Sequence, residues 1–178
     1  MGKLILNLAM SLDGFISDDN GGFDWIIGQG DLSKDTKDIF KFEDFKQSID
    51  IIVMGSKAYE DVVLTNLDTY SDKEIVVVTS RELEKRDNVT FIKGDIAKQI
   101  LALKGKNGKT IWLFGGAILT DAFIKQDLVD EYVVGIIPTI LGKGRSLFKG
   151  DNKKIDLHLD RVTVNDGIVI LIYSRRSL

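Results

Sequence analysis

The apolar positions of the chain fall into short runs separated by polar turns. Residues 3–10 (KLILNLAM) are apolar and β-compatible and predict a buried strand. SLDG at 11–14 and an Asp-, Asn- and Gly-rich stretch through 17–22 read as loop. Ile39, Phe42, Phe45 and Ile49 recur every three to four residues, which predicts a helix with one apolar face and Ser33 as its N-cap. Residues 50–54 (DIIVM) predict a buried strand ending at Gly55, and residues 57–64 a short helix. A second buried strand is expected at 74–80 (EIVVVTS) and a shorter one at 89–92 (VTFI). Residues 95–104 predict a helix that stops at Gly105, and KGKNGK at 104–109 a surface turn. TIWLF at 110–114 is a third buried strand, ending at Gly115-Gly116. Ile118, Leu119, Ala122 and Phe123 line one face of the helix expected after it. Another strand follows at 130–138, and two more at about 157–164 and 168–174 join at Asn165-Asp166-Gly167, a hairpin signal.

Strands first alternate with helices and then run on alone. Alternation implies parallel pairing through right-handed crossovers, and continuous apolar runs suit strands covered on both faces. The expected fold is α/β: a single domain over residues 1–178, three-layer αβα, with a mixed, mostly parallel sheet and a C-terminal antiparallel hairpin. The run IVILIY at 168–173 is expected at an apolar sheet edge that needs cover.

Composition narrows the chemistry. A hydrophobic share of 44% suffices for a core, and a net charge of −3 with no basic face argues against nucleic acid. The Arg175-Arg176 pair is too short for a basic arm. No apolar run reaches the length of a membrane span, and the first residues lack the layout of a signal peptide. With no cysteine, disulfides and thiolate zinc sites are excluded, and a cytoplasmic protein is expected. His158 is the only histidine, in the strand-like LHLDRVTV, and reads as a sheet-surface residue rather than a triad member. No EF-hand spacing occurs, so no metal is expected. The chemistry is expected from a bound cofactor and carboxylates.

Three predicted strands end in polar or glycine-rich turns: MGSK at 54–57, TSR at 79–81 and FGGA at 114–117. In open α/β sheets, ligands bind outside the carboxyl ends of the strands. Helices are expected right after the first and third turns, and their free N–H groups suit phosphate. Gly55, Gly115 and Gly116 permit close approach of the backbone to a ligand. The G-x-G-x-x-G and G-x-x-x-x-G-K-[ST] fingerprints are both missing. LGKGRS at 141–146 lacks phosphate-loop spacing and reads as a turn before Leu147-Phe148.

SLDGFIS, FDW at 23–25, MGSKAYE at 54–60, VVVTSR at 76–81, FGGAIL at 114–119 and LVDEYVVGIIPTILGKGRSLF at 128–148 occur in an order that resembles the dihydrofolate reductase superfamily. The branch most resembled holds the reductase domain of bacterial riboflavin biosynthesis and its stand-alone relatives. The resemblance implies an eight-stranded mixed sheet and NADPH as hydride donor. It implies that Ala9 and Ile16 flank the nicotinamide end, and that Gly55, Ser56, Lys57 and Ala58 begin a helix that receives one phosphate. Thr79, Ser80 and Arg81 would meet the adenosine end and its 2′-phosphate, and Gly115, Gly116, Ala117, Ile118 and Leu119 the pyrophosphate. That branch often dimerises through the C-terminal edge of the sheet, so a homodimer is expected. The family commonly has arginine after the glycine of MG. Here Ser56 stands there, leaving Lys57 or Arg81 to meet the phosphate.

In dihydrofolate reductases a buried carboxylate shortly after a tryptophan holds the pterin and assists protonation, its pKa raised by burial. Trp25 matches that tryptophan and is expected as core packing or as part of the substrate wall. Asp31 stands nearest the expected place of the acid, with Asp35, Asp38 and Asp13 as other candidates. Trp25 and Trp112 are both expected near the site. The leading expectation is an NADPH-dependent reductase acting on a C=N bond of a small pterin- or aminopyrimidine-type heterocycle or imine. The competing ones are a dinucleotide-binding protein without turnover and an interaction protein on an old enzyme scaffold.

Overall fold

Two apolar cores lie back to back across one sheet, because successive strand residues point to opposite faces. In chain order, the computed structural model contains β1 (Leu4–Ser11), β2 (Phe15–Ser17), α1 (Phe42–Ser48), β3 (Ile51–Gly55) and α2 (Ser56–Ala58), which continues as a π-helical turn over Tyr59–Val63. Then come β4 (Glu74–Val78), β5 (Val89–Ile92), α3 (Ile96–Gly105), β6 (Ile111–Gly115) and α4 (Ala117–Lys125). β7 (Glu131–Ile137), β8 (Arg145–Ser146), β9 (Leu157–Asn165) and β10 (Ile168–Arg175) complete the chain. The structure describes residues 2–65, 70–84, 86–105 and 108–176.

The main sheet has eight strands in the order β5-β4-β3-β6-β1-β7-β10-β9. Pairing is parallel from β5 through β7 and antiparallel from β7 through β10 to β9. One face presents Leu4, Leu6, Ile51, Val53, Ile111 and Leu113 to Ile100 of α3 and Phe123 and Ile124 of α4. The other presents Ile5, Ile52, Met54, Ile75 and Trp112 to Phe45 of α1 and to Tyr59 and Val63 of the π-helical turn. The architecture is the expected three-layer αβα fold. The hairpin also forms as expected: Asp166 (φ 51°) and Gly167 (φ 74°) both adopt positive φ, as the two-residue turn of a twisted hairpin requires.

Four expectations need correction or limits. The helix expected from Ser33 is confined to Phe42–Ser48, and its N-cap is Lys41. The preceding residues are held by the hairpin instead: Thr36 N–H donates to Val164 O at 3.0 Å, Val164 N–H to Thr36 Oγ1 at 3.1 Å, and Asp166 N–H to Asp35 Oδ1 at 2.7 Å. Asp and Thr side chains bonded to distant backbone compete with helix, and here they win. Next, IVILIY is not the sheet edge, since β10 lies between β7 and β9, and β9 carries the edge. The last two residues of the LGKGRS turn expected at 141–146 instead form β8, which pairs with β2 in a small second sheet, both strands too short to show periodicity. Finally, the turn expected at 104–109 includes residues 106 and 107, which lie outside the described residues.

Candidate active site

The carboxyl ends of β1, β3, β6 and β7 open into a single cleft of about 1950 Å³. A parallel sheet places these ends together, and the crossovers after β3 and β6 place two helix starts beside them. A Cβ added at Gly55 would lie 3.9 Å from both Gly115 O and Gly116 N, so the turns after β3 and β6 abut. Gly115 has φ +116°, a conformation that suits glycine. The peptide between Gly115 and Gly116 is cis.

α4 starts at this turn. Its N-cap is Gly116, with no side-chain cap, and the backbone bonding of the helix begins with Thr120 N–H to Gly116 O at 3.0 Å. The first-turn N–H groups therefore have no intrahelical acceptor. Thr120 is fully buried, lines the cleft, and its Oγ1 has no partner. Such a buried orphan hydroxyl is uncommon in a finished core and suits a site built for a ligand.

One wall is aromatic. The Trp112 ring makes edge contacts with Phe42, Phe45 and Tyr70 at centroid distances of 5.6, 5.4 and 5.7 Å, and its indole N–H donates to Asn7 O at 3.1 Å. Burial pushes the Tyr70 phenol above its ordinary range, so it stays neutral. Phe23, Ile26 and Phe40 come from the loop held by the hairpin turn. That loop passes close: a Cβ on Gly28 would fall on the Asp166 carboxylate, and Gly30 N–H donates to Asp166 Oδ1 at 2.6 Å.

Of the sequence-predicted residues, Ala9, Ile16, Gly55, Ser56, Lys57, Ala58, Gly115, Gly116, Ala117, Ile118 and Leu119 line the cleft. Thr79, Ser80 and Arg81 are not in its lining; the Arg81 guanidinium is paired with Glu60, and its backbone N–H donates to Thr79 Oγ1 at 3.0 Å. Trp25 is half-buried in its loop, donates to Gly22 O at 3.1 Å, and lies outside the lining, whereas Trp112 is within it.

Asp31 also lies outside. It is exposed, and hydrogen bonds from the Ser33 backbone N–H and hydroxyl hold its carboxyl below the usual range, the reverse of a buried proton donor. Asp35 and Asp38 are engaged with the hairpin, through Asp166 N–H and Arg161. Asp13 ties two turns together by accepting from Ser11 Oγ, Leu141 N–H and Gly142 N–H. The cleft's carboxylates, among the described residues, are Asp61, paired with Lys57 at 3.0 Å, and Asp95, which accepts from Lys98 N–H in the first turn of α3. His158 sits exposed on edge strand β9, bonded to Asp160. No cluster of three or more potential metal ligands occurs among the described residues. No helix among them is long and apolar enough to cross a membrane.

Sequence reasoning placed Trp112 near the site but missed Asn7, Thr120 and the other rings of the aromatic wall, and read Arg145 only as part of a turn. Asn7 had a readable signal, a polar residue inside the apolar run LILNLAM. Arg145 lines the cleft beside the β2–β8 sheet.

Over 151 residues, 82% of each chain, the sequence is 37% identical to the uncharacterized protein YwjB of Bacillus subtilis (strain 168). A crystal structure of a protein assigned to riboflavin biosynthesis from Shewanella sp. PV-4 superposes with a TM-score of 0.81 at 25% identity, covering 99% of this chain and 100% of that one. A dihydrofolate reductase from Enterococcus faecalis, complexed with NADP(H), shares the fold with a TM-score of 0.67 at 16% identity, covering 99% and 98%. The family profile of the RibD C-terminal domain matches residues 2–170, and the chain belongs to that family.

Proposed function

We propose that this protein is an NADPH-dependent reductase that transfers hydride to a C=N bond of a small heterocycle or imine of pterin or aminopyrimidine type. The observation that carries this reading is the junction of two glycine turns, at Gly55 and at Gly115-Gly116, on the floor of one large cleft. The uncapped start of α4 and the orphan Thr120 Oγ1 offer donors there, which fits a pyrophosphate. The family membership and the NADP(H) bound to the fold's Enterococcus relative support it.

In this reading Gly115, Gly116, Ala117, Ile118 and Leu119 hold the pyrophosphate, and Gly55, Ser56, Lys57 and Ala58 hold a second phosphate. Ala9 and Ile16 border the nicotinamide end. When bound, the cofactor supplies the hydride, and the chain supplies orientation and electrostatics. Thr79 and Ser80 face the adenosine end, and Arg81 exchanges Glu60 for a 2′-phosphate. Phe40 and Phe42, backed by the buried Trp112, pack on a flat substrate and exclude water around it. Lys41, Arg145 and Lys149 line the cleft without an ion pair among the described residues, which suits anionic groups on either ligand.

With Asp61 and Asp95 both engaged, solvent water supplies the proton at nitrogen. The same shortage of a free acid favours the second reading, a dinucleotide-binding protein without efficient turnover. Absorbance of NADPH during incubation with dihydropterins, aminopyrimidines and cyclic imines separates the two. Substrate-dependent oxidation by at least one compound is the expected result. Tight NADPH binding with no oxidation across the panel would establish the second reading instead.

We also propose a homodimer through the β9 side of the sheet. Leu157, Leu159 and Val162 stand 36, 48 and 48% exposed on that strand, an apolar edge that a second copy would cover.

A further inference from the structure

Asn7 stands in the middle of β1, opposite Val133 of β7, and lines the cleft. Strand alternation puts its side chain on the same face as Ala9, about 7 Å further along. Its Nδ2 is buried and has no hydrogen-bond partner. Its backbone carbonyl is already taken by the Trp112 indole. Val133, its partner across the strand pair, has no polar side chain to offer the amide. Buried polar groups in native proteins nearly always find a partner, so an orphan at a cleft wall points to a ligand atom.

We propose that Asn7 reads the hydrogen-bonding edge of the substrate, and that this edge is neutral, a carbonyl or imine acceptor beside an N–H, rather than a cationic amidine. This deepens the reductase reading by naming the polar contact in the substrate half of the cleft. A carboxamide presents a donor and an acceptor side by side and carries no charge, which complements such an edge. A cationic edge is served far better by a carboxylate. The carboxylates that line the cleft follow β3 and β5, and β3 is separated from β1 by β6. The aromatic wall of Phe40, Phe42 and Trp112 fits the flat body of the same ligand.

Two planar probes of matched shape separate the alternatives: 6-aminouracil, with a neutral lactam edge, and 2,4,6-triaminopyrimidine, with a readily protonated amidine edge. Their binding to the full chain is measured by ligand-observed NMR with and without NADPH, for wild type, Asn7→Leu and Asn7→Asp. Wild type is expected to prefer 6-aminouracil at least tenfold. Asn7→Leu should lose that binding tenfold or more with NADPH affinity unchanged and a thermal midpoint equal to or above wild type. Asn7→Asp should reverse the preference. Should Asn7→Leu not fold, Asn7→Ser, which withdraws the amide without adding bulk, is expected to show the same loss. The assignment is overturned if wild type prefers the triamine or binds neither probe, or if the Leu or Ser variant binds 6-aminouracil as wild type does. Loss of NADPH binding alone, with the probe results intact, would instead overturn the reductase reading and leave the role of Asn7 standing.

Discussion

Asp13 shows how a carboxylate near a cleft can serve the fold instead of the chemistry. The Ser11 hydroxyl, and then the Leu141 and Gly142 N–H groups, hold its pKa below the ordinary 3.8. A depressed native pKa means that folding favours the ionised form. The stabilisation is complete above the unfolded value and is lost as pH falls through the lower native value. Asp13→Asn should therefore lower the thermal midpoint at neutral pH, and the gap to wild type should close as pH drops below about 3.8. A gap that persists in acid would mean that the charge is not what matters. Thr120 predicts the opposite balance. Removing an unpartnered buried hydroxyl costs the fold nothing, so Thr120→Val should match or exceed wild type in thermal midpoint. If Oγ1 serves the cofactor, NADPH affinity should fall roughly fivefold, about 1 kcal/mol, the net worth of one hydrogen bond. Calorimetry that finds the affinity unchanged would remove Thr120 from the site. Among single residues the sequence was readable at Gly115, whose φ of +116° suits glycine. It misled at Asp31, because a tryptophan-to-acid spacing cannot show that Ser33 captures the carboxylate.

At the scale of elements, local pattern sufficed wherever an element packs on the sheet by its own periodicity. The buried runs at β1, β3, β4 and β6 and the hairpin turn at Asp166-Gly167 all formed as read. The stretch from 28 to 38 did not follow its pattern, because its partners lie more than a hundred residues away in the hairpin. That clamp has a consequence for function. Asp166 holds Gln29 N–H at 2.9 Å and Gly30 N–H at 2.6 Å, and the same loop carries Phe23 and Ile26 to the cleft. Asp166→Ala removes the side-chain bond and places alanine at φ 51°, a cost of about 1–2 kcal/mol. We expect faster proteolysis within residues 20–38 and a raised KM with NADPH affinity unchanged. Equal proteolysis rates would show that the loop is held by other contacts. The turn after β4 makes a second prediction. With Arg81 paired to Glu60, Glu60→Gln should free the guanidinium and improve the ratio of NADPH to NADH affinity several-fold. Titration that finds the ratio unchanged would detach Arg81 from cofactor choice.

Seen whole, the molecule is a sheet whose parallel half gathers strand ends into a cleft and whose antiparallel half ends in an apolar edge. The architecture was legible because strand–helix alternation leaves few topologies. The identity of the edge was not, because either hairpin strand can pair with β7. Sedimentation at micromolar concentration should find a dimer, and Val162→Lys should shift it to monomer. A monomeric wild type would contradict the proposed interface. The glycine turns after β3 and β6 are proposed to receive a dinucleotide. Gly116 offers the cleanest probe: its φ of −77° suits any residue, and an added Cβ would meet no atom of the protein within 4 Å. The fold therefore does not require glycine there, while a closely approaching pyrophosphate would. The decisive measurement is calorimetric titration of wild type and Gly116→Ala with NADPH. Wild type should bind, and the variant, at an equal thermal midpoint, should bind more than tenfold more weakly. No binding by wild type, or equal binding by both proteins, would contradict the proposed site.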